Sequence, residues 1–119
     1  AHARVSSVMR QLKERGLNHD IGHGLKSLAK LVEPQELQLI KRVSAFPEVI
    51  RQCAAQRAPH TLVHYLRDLA NNFHSYYSAH QFIVDDAGAR DARLDLALAT
   101  QTVIRNGLEL LGVSAPETM

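Results

Sequence analysis

The stretch ARDARLDLALATQTVIRNGLELL, residues 89–111, decides how this chain folds. Leu94, Leu96, Ala97, Leu98, Val103, Ile104, Leu108, Leu110 and Leu111 put apolar side chains on nearly every side of a helix, with no strand-like alternation. A helix that is apolar all round is an enclosed one. The segment is therefore expected to be the central helix of the molecule, about 33 Å long at 1.5 Å per residue. Asp85, Asp86, Ala87 and Gly88 make the turn before it, and Gly112 is placed to stop it in the left-handed conformation.

The rest of the chain reads as shorter helices around this one. Pro59 opens a helix that runs to about His80, with Leu62, Leu66, Leu69, Phe73 and Tyr76 in one stripe and Val63, Ala70 and Tyr77 beside it. Pro47, next to Glu48, opens another, with Val49, Ile50, Cys53 and Ala54 as its buried side. Pro34 opens a third, with Glu36 near the positive end of the helix dipole and Leu37, Ile40 and Val43 or Ser44 as its inner face. At the start, Val5, Val8, Met9 and Leu12 recur at helical spacing from Ala1 to Arg15, and Gly16 ends the run. Residues 16–24 read as a polar loop. A short helix is expected at Leu25–Val32, with Leu25, Leu28, Ala29, Leu31 and Val32 as its apolar positions. No stretch alternates with a period of two. The expectation is a single all-α domain over residues 1–119, a helical bundle of about six helices with short connections.

Composition limits what such a domain can be. A chain of 119 residues can bury roughly two-thirds of its unfolded surface. That is enough for a core without metal or disulfide. Cys53 is the only cysteine, so no intramolecular disulfide can form. There is no apolar run of membrane-spanning length and no signal-peptide layout, which makes the cytoplasm the expected compartment. The chain starts at Ala1 inside a helix, as an excised fragment would. A formal charge of +2 permits nucleic-acid binding without arguing for it.

Catalytic signatures are missing. There is no glycine-rich phosphate loop and no Gly-x-Ser-x-Gly elbow, and the acids are dispersed. His60 and His64 stand four apart on one helix face, a zinc-compatible spacing, but Thr61 occupies the place where zinc hydrolases carry glutamate. His19 and His23 share that spacing in the expected loop. Cys53, in Ile-Arg-Gln-Cys-Ala-Ala, lies on an apolar helix side, where a cysteine is a small packing residue and not a nucleophile. No catalytic residue, no metal ligand and no cofactor site is expected in these residues.

Several segments, in order, resemble the C-terminal anticodon-binding (DALR-type) domain of bacterial arginyl-tRNA synthetases, which are class I enzymes. Ala1-His2-Ala3-Arg4-Val5-Ser6-Ser7-Val8 is similar to that family's Tyr-Ala-His-Ala-Arg-x-x-Ser segment, cut just after its tyrosine. Leu37 to Phe46 with Pro47-Glu48-Val49 resembles its Leu-Ile…Phe-Pro-Glu-Val stretch, and Ala58-Pro59-His60 with Tyr65-Leu66 and Leu69-Ala70 its next helix. Phe73-His74-Ser75-Tyr76-Tyr77 resembles Phe-His-x-Phe-Tyr. Asp91-Ala92-Arg93-Leu94 resembles the Asp-Ala-Leu-Arg signature. Asn106-Gly107-Leu108 to Met119 resembles the terminal segment, which the related domain of the glycyl-tRNA synthetase β subunit does not share. His19-Asp20-Ile21-Gly22-His23 has the outward form of the class I nucleotide motif. With no strand before it, it reads as a coincidence.

The resemblance implies a parent enzyme that joins arginine to its tRNA with ATP. ATP and the catalytic residues belong to another domain of that chain. It implies as partners an arginine tRNA, through its anticodon stem-loop, and the catalytic domain of the same chain, with no membrane and a monomeric state. It assigns anticodon contacts to Tyr77, Met119 and Arg4. The chemistry suits those roles. Single-stranded bases are read by stacking and by hydrogen bonds to their edges. Tyr77 offers a flat face and a hydroxyl, Met119 a flexible apolar chain and a carboxylate, and Arg4 a planar donor fork. Against this, a tyrosine on an amphipathic helix is more often core than platform. Tyr76, on the main stripe, is the expected core residue, and Tyr77 lies one step round. A terminal methionine is usually unordered, but Val113 and Pro116 could tie this one back. Arg4 could be a solvated helix charge. Arg51, Arg57, Arg67, Arg90, Arg93 and Arg105 are further phosphate candidates. Composition and architecture alone would also fit a helical protein-interaction module without RNA affinity. A histidine-based metalloenzyme is the third alternative.

Overall fold

The computed structural model describes residues 2–57, 59–80 and 82–112, with the backbone alone at His2 and Ala3. Met119, and the Val113 and Pro116 contacts expected to tie it back, lie outside the described residues. Among those described there are six α-helices and no strand: α1 (His2–Glu14), α2 (Ile21–Lys26), α3 (Pro34–Ser44), α4 (Phe46–Gln56), α5 (Pro59–Ala79) and α6 (Ala87–Leu110). A 3-10 turn at Leu28–Lys30 follows α2. None of these helices is long and apolar enough to cross a membrane.

Helix α6 is the axis of the bundle, as its composition requires. Asp86 caps it by accepting from the Gly88 amide at 3.1 Å, and the chain leaves it through Gly112 at φ 76°. Ala92, Leu94, Leu96, Ala97 and Ile104 are all buried on it. The helix begins at Ala87, two residues before the expected start, and at its C-terminal end Leu108 and Leu111 pack against the core while Leu110 is 63% exposed. Helix α5 lays the whole expected stripe, Leu62, Leu66, Leu69, Phe73 and Tyr76, against the core. Gly107 lets α6 approach α5 closely, since a Cβ there would meet Leu66 Cδ2 at 2.7 Å. Tyr65 is also buried, stacked on Phe46 with ring centroids 6.0 Å apart and donating its hydroxyl to the Arg42 carbonyl. Val63, expected beside the stripe, is exposed.

Helix α3 departs from the hydrophobic reading. Leu37, expected inside, is 55% exposed, whereas Leu39 and the charged Glu36 are fully buried. Glu36 decides the rotation. Its Oε2 accepts from the Tyr76 hydroxyl at 2.6 Å and from Arg93 Nε at 3.1 Å, and its Oε1 accepts from the Glu33 amide at 3.2 Å. A buried carboxylate must be paired and hydrogen-bonded, so α3 turns Glu36 inward at the expense of Leu37. Helix α4 is peripheral: Val49, Ile50 and Cys53 are half-buried, and Ala54, expected inside, is exposed.

The segment read as a polar loop followed by a helix at 25–32 is different. Helix α2 starts at Ile21, capped by Asp20, whose carboxylate accepts from the His23 amide at 3.0 Å. Gly24 is buried where α2 crosses α6: a Cβ there would lie 2.2 Å from Asp95 Oδ2 and 2.6 Å from the Asp91 carbonyl oxygen. Two histidines lock the crossing. His19 Nε2 is 2.7 Å from Asp95 Oδ1, and His23 Nδ1 is 2.9 Å from Asp91 Oδ2. Burial pushes the Asp95 carboxyl above its ordinary range, with His19 opposing that shift. Leu31 is buried as expected, but Leu25, Leu28 and Val32 are exposed.

Candidate nucleic-acid interface

Tyr77 lies on α5 next to the core residue Tyr76, one step round the helix, and is half-buried. Its ring packs against Phe73 and Phe82, at centroid distances of 6.2 and 5.8 Å. The Arg4 guanidinium carbon lies 5.0 Å from the ring centroid. That distance is within the range of cation–π attraction. Helices α1 and α5 thus bring together two of the three residues that the family resemblance singled out, Arg4 and Tyr77. The third, Met119, is outside the described residues.

The pair stands beside a cavity of about 640 Å³ lined by Val8, Gln11, Arg15, Tyr77, His80, Phe82, Ile83, Val84 and Asp85. Tyr77 and Phe82 supply aromatic surface, while Gln11, Arg15, His80 and Asp85 supply donors and acceptors of both signs. The exposed lining is more polar than apolar, which suits hydrogen bonds to a base edge beside an aromatic face. The Ile83–Asp85 wall is held in place by Arg90 Nη1, which donates to the Val84 carbonyl at 3.2 Å. Beyond it, Lys30 Nζ is bonded to Asp86 at 2.9 Å. His80 Nε2 lies 3.2 Å from Gln35 Oε1, tying the rim to α3. His74 is held below the ordinary imidazole range by burial and, more weakly, by the Arg4 charge.

Gln11 and Arg15 were not singled out in the sequence. Arg4 and Gln11 lie two turns apart on α1 and Arg15 follows just after its end, all three exposed, so on sequence alone they read as solvated polar residues. His80 stands one turn after Tyr77, just past the end of α5, and is within reach by helical spacing, whereas Asp85 lies beyond α5 and only the tertiary fold brings it to Tyr77. Of the other arginines, Arg93 faces inward to Glu36 and Arg51 pairs with its helical neighbour Glu48 at 2.6 Å. Among the described residues, no three His, Cys, Asp or Glu side chains are grouped to hold a metal ion. His60 and His64 are both exposed.

The signature Asp91-Ala92-Arg93-Leu94 is structural throughout. Asp91 receives His23 and the Asp20 amide, Ala92 and Leu94 enter the core, and Arg93 pairs with Glu36. These residues fix the position of α2 and α3 on α6 and do not line the cavity.

Comparison with known proteins identifies the family. Arginine–tRNA ligases of Thioalkalivibrio sulfidiphilus (strain HL-EbGR7), Coxiella burnetii (strain CbuK_Q154) and Legionella pneumophila (strain Corby) are 54%, 50% and 51% identical over all 119 residues. The chain spans about a fifth of the length of these curated relatives, 20% in each case. No solved structure matches it significantly. The family model described as DALR anticodon binding domain matches residues 1–119, and the chain belongs to that family.

Proposed function

We propose that this chain is the anticodon-reading domain of an arginine–tRNA ligase, and that a splayed base of the anticodon enters the cavity beside Tyr77. The observation that carries this is Tyr77, which lines a cavity with both aromatic and polar walls and has the Arg4 guanidinium over its ring. Tyr77 is held by its contacts with Phe73 and Phe82, so little conformational freedom is lost when a base stacks on it. In the bound state the Arg4 guanidinium either stays sandwiched with base and ring or turns to a phosphate, and both uses suit its planar fork. Gln11, Arg15, His80 and Asp85 are placed to test the base edge. On the family resemblance, the Met119 side chain is a further candidate contact to the same base.

In this reading the partners are an arginine tRNA and the catalytic domain of the same chain. ATP and arginine are handled by that other domain. The protein works as a monomer in the cytoplasm.

Binding of an arginine anticodon stem-loop, followed by fluorescence at low salt, tests the site. Stacking is worth roughly 1–3 kcal/mol per base. Tyr77→Ala is therefore expected to weaken binding by about five- to 150-fold, at about 1.4 kcal/mol per tenfold, with the helical signal retained. An unchanged affinity would remove Tyr77 from the site.

A further inference from the structure

The segment from Ile21 to Val32 is held firmly, yet it buries few of its own apolar side chains. Helix α2 has only six residues, too few to persist unaided. The His19–Asp95 and His23–Asp91 pairs fix it to α6, and Lys30–Asp86 fixes the turn after it. Nevertheless Ile21 is 58% exposed, Leu25 59%, Leu28 41% and Val32 67%. Ile21 and Leu25 stand one turn apart on α2, Leu28 opens the 3-10 turn that follows, and Val32 comes just after that turn. Single exposed apolar residues are ordinary, but a group of four in twelve residues, on a segment pinned in place, marks an interaction surface.

We propose that this face is the docking surface for the rest of the parent polypeptide, an apolar surface on another domain of the same chain. The proposal rests on the reading of the chain as part of an arginine–tRNA ligase. Its occupant follows from length and chemistry. The relatives match all of this chain with 20% of their own length, so four-fifths of such a polypeptide lies outside the matched region. Tethered domains meet at high effective concentration, so a modest apolar patch suffices to hold them. RNA is a poor occupant for the face. Its exposed groups are aliphatic, and Lys30 beside it is already paired with Asp86. Asp86 directly follows Val84 and Asp85 of the cavity wall, so a domain seated here lies one short segment from the proposed base site.

The test is photochemical carbene labelling of the isolated domain and of the intact ligase, read at single residues. Labelling of Leu25 and Val32 is expected to fall severalfold in the intact ligase, while exposed Val63 changes little. In the intact ligase carrying Leu25→Asp, labelling of Val32 should return towards the isolated-domain level. Equal labelling of Leu25 and Val32 in both proteins overturns the proposal. So does concentration-dependent protection in the isolated domain, which would make the occupant a second copy. Stem-loop binding by the isolated domain, wild type and Leu25→Asp, is measured alongside. Affinity retained in both with labelling unchanged sinks the docking face alone, whereas no stem-loop binding by the wild type sinks the functional reading beneath it.

Discussion

Arg93→Met is expected to destabilise the domain by about 3–5 kcal/mol, the usual consequence of removing one partner from a buried ion pair. The magnitude follows from Glu36, which is fully buried and keeps only two neutral donors, the Tyr76 hydroxyl and the Glu33 amide, once the guanidinium is gone. Domains of this size have roughly 5–15 kcal/mol of stability in total, so a large part is at stake. Thermal melting should show a drop of about 10–25 °C. The pair is costly to break without being strongly stabilising overall, because the desolvation of two charges offsets much of their attraction. The double variant Arg93→Met with Glu36→Leu should therefore recover much of the loss, leaving mainly the Tyr76 hydroxyl without its acceptor. That hydroxyl is held in its protonated form by burial and by Glu36, which suits its role as donor. A melt of Arg93→Met within about 2 °C of wild type would mean that Glu36 is not charged and paired inside the fold.

Gly24→Val should be nearly as damaging, for a steric reason. The first added carbon would sit 2.2 Å from Asp95 Oδ2 and 2.6–2.7 Å from the carbonyl group of Asp91. The side-chain oxygen can move, but the α6 backbone cannot. Helix α2 must then lift from α6 and strain the His19–Asp95 and His23–Asp91 contacts with it. Overpacking of this kind costs about 1–3 kcal/mol and sometimes more, and the upper end is expected because the clash is with backbone. Gly22 is the control. A Cβ there meets only Asp20 Oδ1, at an ordinary 3.5 Å. Gly22→Ala should be neutral or should stabilise by up to about 1 kcal/mol through helix propensity. Urea unfolding of both variants decides the matter. Equal midpoints for Gly24→Val and wild type would show that α2 does not press on α6 as described.

These two sites also show where the sequence ran out. The stripe of α5, the enclosed character of α6 and the helix starts at Pro34 and Pro59 follow from helical periodicity and proline chemistry, and the structure has them, with α4 starting at Phe46, one residue before the expected Pro47. The inward turn of Glu36 was invisible, because a hydrophobic pattern places a lone glutamate outside and Leu37 inside. Only the partners Tyr76 and Arg93, far along the chain, reverse that preference. Helix α2 was hidden for a similar reason. Two glycines in six residues argue against a helix locally, and the contacts that stabilise it come from Asp91 and Asp95 on α6. At the candidate interface, Arg4 and Tyr77 came from family resemblance, and the fold then brought them together. Gln11 and Arg15 were legible as exposed polar residues, but the element they face was not.

The most direct measurement is a paired titration of the domain with an arginine anticodon stem-loop and with the same loop carrying one substituted anticodon base, across a range of salt. A site that reads a base edge by hydrogen bonds at the Tyr77 cavity should prefer the arginine loop by about five- to 150-fold, the equivalent of roughly 1–3 kcal/mol, while both affinities fall together with rising salt as phosphate counterions are released. Equal affinity for the two loops at every salt concentration would contradict anticodon reading by this domain and leave it a sequence-blind grip on RNA.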